Sequence, residues 1–309
     1  MEPTLLVVQF LNGIQLGTLL FLVASGLTLV FGILDVINLA HGVVYMVGAY
    51  AAASTFVRSG SLALAIAIAP VAALLVGLLL DRLVLRFLYD RNHLDQVLAT
   101  FGVILFVDEA VRAIFGPAAL PYPLPPAFEW SLELPGGATY PAWRLVIIVS
   151  GLVLAAILFG ILHRTRAGMV VRAAATDPGM LAMLGVDIRR LFLVVLGAGS
   201  ALAGFAGALA GPIVAVQPGM GDSVLILSFV VIVTGGLGSV QGALLGSFLV
   251  GLADTLGRSF LTDLLRLLLP PAAANEVGPA LASMAIYLVM AIVLLIRPQG
   301  LVSLRRAAR

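Results

Sequence analysis

The sequence predicts an all-α protein, a polytopic bundle of transmembrane helices in a single domain over residues 1–309. Of these residues 61% are hydrophobic and only 10% are charged, whereas soluble domains carry about 25% charged residues. The mean hydropathy is +1.16, and several apolar stretches approach the roughly 20 residues that a membrane helix needs. The 33 glycines suit close helix packing in lipid. This composition excludes a soluble globular fold.

Apolar stretches divide the chain into about nine predicted spans, with eight to ten allowed. The first span follows an acidic residue, Glu2, instead of a basic region. It is therefore expected to remain as a helix rather than to be cleaved as a signal peptide. The two spans between residues 222 and 257 look short for a bilayer. The predicted spans are 5–33, 39–57, 62–80, 96–115, 143–162, 191–214, 222–237, 240–257 and 279–296.

All 17 basic residues are arginine, and their distribution orients the bundle. They cluster at 82–91, 163–190 and 297–309, and the positive-inside rule places these regions, with the C-terminus, in the cytoplasm. Nine spans then put the N-terminus outside. The stretch 116–142 has no basic residue and is predicted to be an extracytoplasmic loop. Aromatic side chains in and beside this loop suit the extracytoplasmic interface between membrane and water: Trp130, Tyr140 and Trp143.

The composition also excludes several kinds of chemistry. The chain has no cysteine, which excludes disulfides, thiolate metal sites and cysteine nucleophiles. His41, His93 and His163 lie far apart without ligand spacing, so neither a metal nor another cofactor is expected. There is no lysine either, and a phosphate-binding P-loop requires one. We therefore expect no enzyme, and any ATP that drives this protein must be hydrolysed by another polypeptide.

Small residues recur every four positions on several predicted helices, which places them on one helix face. Such stripes predict tight packing within one bundle. They are Gly13 and Gly17; Gly199, Ala203, Gly207 and Gly211; and Gly238, Gly242 and Gly246.

Residues 163–190 form a basic, amphipathic segment that is too charged to cross a bilayer. Within it Asp177 is a good N-cap, Pro178 fits the first helical position, and Gly185 stands where a short helix should stop. Two turns of helix are not stable alone in water. The apolar side chains must therefore rest on the protein's own membrane face or in a partner's groove, unless the segment is only a solvated loop. These side chains are Met180, Leu181, Met183 and Leu184.

Two runs interrupt the apolar tracts and are candidates for a transport path. Residues 35–42, the helix break, carry three polar side chains, and residues 234–239, the glycine run, hold too much glycine for a continuous helix. Broken helices at membrane depth occur where they are buried in protein or line a cavity, and transporters often place their sites there. An ordinary surface turn is the alternative for each. We expect the two runs to face each other across the path, which they line with Asn38, His41, Gly42, Thr234, Gly235, Gly236, Gly238 and Ser239.

Four sequence blocks, in order, carry a resemblance to a known family. The block 26–50, GLTLVFGILDVINLAHGVVYMVGAY, resembles the signature of the inner-membrane permease subunits of branched-chain amino acid ABC importers, the LivH-type family. The block 172–187, RAAATDPGMLAMLGVD, resembles the family's cytoplasmic coupling segment. The blocks 235–251 and 297–301 resemble its glycine-rich block and its C-terminal end. Pro178 departs from the helix-forming residue expected after the coupling aspartate.

The resemblance implies a type II ABC importer-like permease with broken helices, in a bacterial or archaeal plasma membrane. Two permease subunits, usually distinct homologues but sometimes two copies, would form the path for branched-chain or other neutral amino acids. An extracytoplasmic binding protein would deliver the substrate, and two cytoplasmic ATPase subunits would drive alternating access. Membrane lipid is the remaining partner, and nucleic acid is not one. The residues assigned to ATPase coupling are Arg172, Asp177, Met180, Leu181, Leu184, Gly185 and Asp187.

Other functions fit the sequence less well. A channel would need a ring of polar groups, and a proton-coupled carrier would need carboxylates deep in several spans. Both are scarce, and Asp108 and Glu109 lie near a helix end with Arg112 close by. A membrane enzyme would need a clustered acid, base or metal set, which no pair of blocks supplies. Within the family, urea, short amides and other small polar solutes are alternative substrates.

Overall fold

The computed structural model describes residues 3–268 and 270–302, and this part of the chain contains eleven α-helices. Nine of them coincide with the nine predicted spans, and the two shortest lie within 163–190. The helices are α1 (Pro3–Leu34), α2 (His41–Ser59), α3 (Leu62–Leu83), α4 (His93–Phe115), α5 (Ala142–Arg164), α6 (Arg166–Ala174), α7 (Pro178–Met183), α8 (Ile188–Ala210), α9 (Met220–Gly235), α10 (Val240–Leu265) and α11 (Pro271–Ile296).

Six helices in the described residues are long and apolar enough to cross a membrane, namely α1, α3, α5, α8, α10 and α11. The remaining three long helices are α2, α4 and α9. Polar side chains lower the hydropathy of α2 and α4, and α9 has only 16 residues. The prediction of a polytopic helical membrane protein is confirmed.

α10 is longer than the sequence predicted. It was expected to end at residue 257 but continues to Leu265. The reason is electrostatic, because Arg258 Nε lies 2.8 Å from Asp254 Oδ1 one turn earlier. The buried Asp254 carboxylate is thus paired within α10, so the two charged residues continue the helix instead of ending it. α11 also starts earlier than expected, because Pro271 occupies its first turn, where proline is tolerated.

α1 lies at the centre of the bundle and contacts α5, α8, α9 and α10. Glycine makes these approaches possible. A Cβ placed on Gly26 would lie 2.6 Å from the Gly199 carbonyl oxygen of α8, and one on Gly17 would lie 2.9 Å from the Ser247 carbonyl oxygen of α10. Both distances are shorter than a normal contact. The predicted stripes of small residues therefore pack helix against helix.

The arginine-rich regions that the structure describes meet at one end of the bundle. The connection 84–92 and the segment 163–190 both pack against the last turns of α1. Residues 297–302 join them, because the Leu301 N–H donates to the Thr234 carbonyl oxygen at the end of α9 (2.9 Å). Three of the arginines used to predict the orientation lie outside the described residues: Arg305, Arg306 and Arg309.

The predicted extracytoplasmic loop, residues 116–142, lies at the other end. It contains a two-stranded antiparallel hairpin of β1 (Ser131–Glu133) and β2 (Thr139–Pro141), a small departure from the all-α prediction. The Leu120 N–H donates to the Val216 carbonyl oxygen (2.8 Å), which ties the loop to the chain that follows α8.

The aromatic residues of this region do not all lie where the sequence predicted. Trp130 is exposed, but Tyr140 and Trp143 are fully buried, so their placement at the membrane interface is wrong. The Trp143 Nε1–H donates to the Leu209 carbonyl oxygen (3.0 Å), which gives the indole a polar partner inside the bundle. A buried tryptophan with its N–H satisfied acts as part of the core.

Candidate functional site

The coupling segment, residues 163–190, folds as α6 and α7 at the arginine-rich end. α7 begins as predicted, because Asp177 Oδ1 accepts a hydrogen bond from the Met180 N–H (2.9 Å) and Pro178 takes the first helical position. The segment also turns where predicted, because Gly185 adopts a φ of +85°. That left-handed conformation suits glycine at a helix C-terminus.

Two further residues assigned to coupling have local structural roles. Asp187 Oδ1 accepts a hydrogen bond from the Arg190 N–H (3.1 Å) and so caps α8. The Arg172 carbonyl oxygen accepts one from the Thr176 hydroxyl (3.2 Å), while the Arg172 side chain is exposed. It belongs to a set of five exposed arginines in the coupling segment: Arg164, Arg166, Arg172, Arg189 and Arg190.

α7 presents an apolar face to the surroundings. Met180, Met183 and Leu184 are 57%, 84% and 71% exposed, whereas Leu181 is only 7% exposed. The prediction that Leu181 belongs to the partner-facing surface is therefore wrong. Leu181 packs with residues of α5, α6, α8 and α10 and anchors the helix to its own protein. Exposed methionine and leucine beside arginines are typical of a docking surface.

The helix break turns back into the bundle instead of ending at its surface. His41, at the start of α2, donates from Nε2 to the Val23 carbonyl oxygen of α1 (3.2 Å). α1 continues from Val23 to Leu34, a distance of about 16 Å at 1.5 Å per residue. α2 therefore begins well inside the bundle.

α4 supplies hydrogen bonds to the backbone of this break. The Ile37 N–H donates to Gln96 Oε1 (3.0 Å), and the Leu39 N–H donates to Thr100 Oγ1 (3.3 Å). Gln96 and Thr100 are buried and lie one helical turn apart on the same face of α4. Neither residue was among the predicted site residues, although two polar residues four apart in an apolar helix are a usable signal.

Two buried side chains in the break keep free hydrogen-bonding atoms. Asn38 Oδ1 and His41 Nδ1 have no partner among the described residues. Because Nε2 of the neutral His41 ring is the donor, Nδ1 is an acceptor, as Oδ1 of an amide also is. An unsatisfied buried acceptor costs about 1–3 kcal/mol. The site therefore favours water or a ligand that donates hydrogen bonds.

The N-termini of α2 and α9 meet at the break. A Cβ on Gly42 would lie 2.6 Å from the Gly221 carbonyl oxygen, in the first turn of α9. Carboxylate oxygens of Asp108 and Asp222 lie 4.0 and 3.9 Å from the position that a Cβ on Gly219 would take. The partial positive charge at a helix N-terminus stabilises carboxylates placed there.

The glycine run forms the tight turn between α9 and α10. Gly236 and Gly238 adopt φ values of +113° and +81°, which a residue with a side chain rarely adopts. Ser239 Oγ accepts a hydrogen bond from the Gly242 N–H (3.0 Å) and caps α10.

The segment that follows α11 covers this turn. The Leu301 and Val302 N–H groups donate to the carbonyl oxygens of Thr234 and Gly235, each at 2.9 Å. A Cβ on Gly236 would lie 2.5 Å from the Val302 carbonyl oxygen. These contacts make the glycine run a closely packed turn, with Thr234, Gly235 and Gly236 buried.

The break and the glycine run do not face each other, so that prediction is wrong. Gly42 contacts Gly221 at the start of α9, whereas Gly235 ends α9. The helix between Gly221 and Gly235 spans about 21 Å at 1.5 Å per residue. The separation arises because the chain re-enters along α1, so the end of the break at Gly42 lies inside the bundle while the glycine run stays at the arginine-rich end.

Residues 9–295 match the model of a family described as the branched-chain amino acid transport system permease component. The chain belongs to this family. The permease is 32% identical over 270 residues to the branched-chain amino acid permease protein BraD of Pseudomonas aeruginosa, covering 82% of this chain and 87% of that protein. It is 29% identical over 267 residues to LivH of Escherichia coli K12, with 82% and 86% covered. It is 30% identical over 255 residues to the probable LivH of Methanocaldococcus jannaschii, with 78% and 77% covered.

No solved structure matches the chain. The type II architecture therefore remains an expectation from the family resemblance. Membership of the permease family shows that the protein is a multi-pass inner-membrane protein and the membrane component of a transporter.

Proposed function

We propose that this permease forms part of the translocation path of an ABC importer for branched-chain amino acids. The family match supports the permease role, and the names of the relatives support the substrate class. The observation that carries the mechanism is α7, a capped helix that Leu181 anchors and whose Met183 and Leu184 side chains are exposed. A face of this kind at the arginine-rich end suits a groove on a cytoplasmic ATPase.

Other subunits complete the transporter in this proposal. The sequence has no lysine for a P-loop, so two separate ATPase subunits supply the energy. A second permease subunit, a distinct homologue or another copy, forms the rest of the path. An extracytoplasmic binding protein delivers the substrate and sets much of the selectivity.

All nine long helices cross the membrane in the proposed arrangement, with the N-terminus outside and the C-terminus in the cytoplasm. The support is that the connection 84–92, the coupling segment and residues 297–302 share one end. Arginine on that side obeys the positive-inside rule. The break makes room for α2 and α9, since each helix starts inside the bundle instead of at its surface.

The break is proposed to line the path and to bind the ammonium group of the substrate. An ammonium group only donates hydrogen bonds, and Asn38 Oδ1 and His41 Nδ1 are acceptors without a donor in the described part of the chain. A neutral imidazole serves here without the cost of a buried charge. Gly42 allows α9 to approach. The glycine run is proposed to form the cytoplasmic end of the path, with Thr234, Gly235, Gly236, Gly238 and Ser239.

Loss of the apolar face of α7 tests the proposed function. Met183→Asp places a charge at the most exposed position of that face and should abolish uptake of radiolabelled leucine. Co-purification of the ATPase subunits should fall at least tenfold, a loss of about 1.4 kcal/mol in binding. Met183→Leu keeps the apolar contact and is the matched control. Unchanged co-purification of the ATPase subunits with Met183→Asp would show that α7 is only a solvated turn. If the unaltered transporter takes up urea instead of leucine, the proposed substrate is wrong.

A further inference from the structure

Gln96 of α4 uses every hydrogen-bonding position of its carboxamide. Oε1 accepts from the Ile37 N–H (3.0 Å) and lies 3.2 Å from His93 Nδ1, while Nε2 donates to the carbonyl oxygens of Leu88 and Arg91, both at 3.2 Å. A carboxamide offers two acceptor and two donor positions, so none remains free. One buried side chain thus joins the helix break to the connection 84–92.

The connection 84–92 is itself fixed to the bundle. The Tyr89 hydroxyl donates to the buried carboxylate of Asp81 in α3. Burial raises the pKa of Tyr89 far above its ordinary value, with a further contribution from Asp81, so the hydroxyl keeps its proton. On its other side the Tyr89 ring meets Phe192 of α8 edge to face, with ring centroids 5.6 Å apart. Edge-to-face packing of this kind fixes both rings.

Phe192 also connects this region to the coupling segment. It packs against two buried clusters, one that contains Leu181 of α7 and one that contains Val36 of the break and Leu85 of the connection. Packed contacts therefore run without a gap from Leu181 through Phe192 and Tyr89 to the connection that Gln96 holds.

We propose that Gln96 is a positioning residue that transmits movement of the coupling segment to the helix break through Phe192 and Tyr89. The proposal rests on the proposed function, because it assumes that α7 binds an ATPase and that the break lines the path. Its physical basis is that closely packed contacts pass on displacement instead of absorbing it. Without Gln96 the Ile37 N–H loses its one acceptor among residues 3–268 and 270–302, whereas Leu88 keeps the Arg91 N–H as a donor to its carbonyl oxygen (3.0 Å). The loss therefore affects the break more than the connection.

Leu39→Cys can report on the break, since the chain has no cysteine of its own. In the purified complex with its ATPase subunits, the rate of labelling by a thiol reagent is measured without nucleotide and after trapping with ATP and vanadate. The rates should differ by at least about fivefold, the low end of typical coupling between sites. Gln96→Leu should reduce the difference to below about twofold. Gln9→Leu, the same change near the other end of α1, should leave it intact.

A second variant separates transmission from local damage at the break. Phe192→Leu leaves the hydrogen bonds of the break to Gln96, Thr100 and Val23 unaltered, yet it should also reduce the difference in labelling rate. The double variant should show little further loss, because residues in one chain of contacts are not additive. If Gln96→Leu folds poorly, Phe192→Leu carries the test alone.

The proposal is overturned if Gln96→Leu, or Phe192→Leu when tested alone, retains the full nucleotide-dependent difference. It is also overturned if the unaltered complex shows no such difference. Failure of the proposed function looks different, because Asn38→Ala would then leave leucine uptake normal. If Gln96→Leu retains the labelling difference while Asn38→Ala loses leucine uptake, the role of Gln96 is rejected. The proposed path at the break then still stands.

Discussion

Single side chains complete the hydrogen bonds that the broken helix leaves open. Gln96 and Thr100 accept from two backbone N–H groups of the break, and His41 binds a carbonyl oxygen of α1. Backbone groups left unpaired in a membrane interior cost several kcal/mol each. The break is stable because α4 and α1 pair these groups. Asn38 and His41 retain acceptors to which no group among the described residues donates.

Replacing Asn38 tests whether those free acceptors serve the substrate. Asn38→Ala removes a buried acceptor that has no partner among the described residues, so it should not destabilise the fold. Uptake of leucine should nevertheless fall at least about tenfold, equivalent to one lost hydrogen bond of roughly 1.5 kcal/mol to a charged group. Initial uptake rates at matched expression measure the effect. Uptake near normal would indicate that Asn38 only forms part of a turn.

Gly236→Leu tests the glycine run. Here uptake should fall because of a steric clash, not because of a lost hydrogen bond to the substrate. The new side chain would meet the Val302 carbonyl oxygen, and the φ of +113° disfavours any side chain. We expect uptake to be blocked together with a displaced C-terminal segment, seen as faster proteolysis near residues 297–302. Normal uptake and unchanged proteolysis in this variant would remove the glycine run from the proposed path.

At the scale of elements, glycine decides how closely the central helices approach. α1 contacts α8 through Gly26 and Gly199, backbone against backbone, as small residues permit in lipid. α7 depends on a different kind of contact. Its caps define where the helix begins and ends, but the helix is too short to be stable alone. Leu181 supplies the tertiary contact that holds α7 in place.

Gly26→Ala should destabilise the bundle, because its Cβ would lie 2.6 Å from the Gly199 carbonyl oxygen and two backbones would have to separate. Overpacking of this kind costs about 1–3 kcal/mol, which thermal unfolding in detergent would register as a lower Tm. Gly102→Ala in α4 is the matched control. Nothing lies within 4 Å of its added Cβ, and alanine favours a helix by about 1 kcal/mol over glycine. Equal Tm values for the two variants would contradict the packing argument.

At the scale of the whole molecule, the two ends of the bundle differ in charge and in construction. The coupling segment, the connection 84–92 and residues 297–302 gather at one end, and the loop with its hairpin lies at the other. Three regions distant in sequence thus form one surface. A cytoplasmic partner that docks at α7 would meet all of them from the same side.

Single cysteines test this orientation in intact cells. Arg91→Cys and Thr176→Cys lie at exposed positions of the arginine-rich end and should be protected from an impermeant thiol reagent added outside. Glu129→Cys, exposed in the loop at the other end, should be labelled. The cysteine-free sequence makes background labelling negligible. Labelling of Thr176→Cys from outside would reverse the proposed topology.

Local signals in the sequence determined the class of the protein, the position of each long helix and the boundaries of α7. Hydropathy depends on the residues of one helix, and the caps at Asp177 and Gly185 involve neighbours only a few residues away. The ordered motifs likewise identified the family, because they are read along the chain.

The tertiary structure alone decided what the break contacts. Ile37 and Gln96 are 59 residues apart, and no periodicity within α1 or α4 reveals that they bond. The burial of Leu181, Tyr140 and Trp143 was likewise set by packing, since side chains on α7, on β2 and at the start of α5 can each face the bundle or its surroundings. The break and the glycine run were separated by the length of α9, because a chain that re-enters the bundle places neighbouring residues at different depths. Such distances depend on the path of the backbone in space, which residue types alone do not specify.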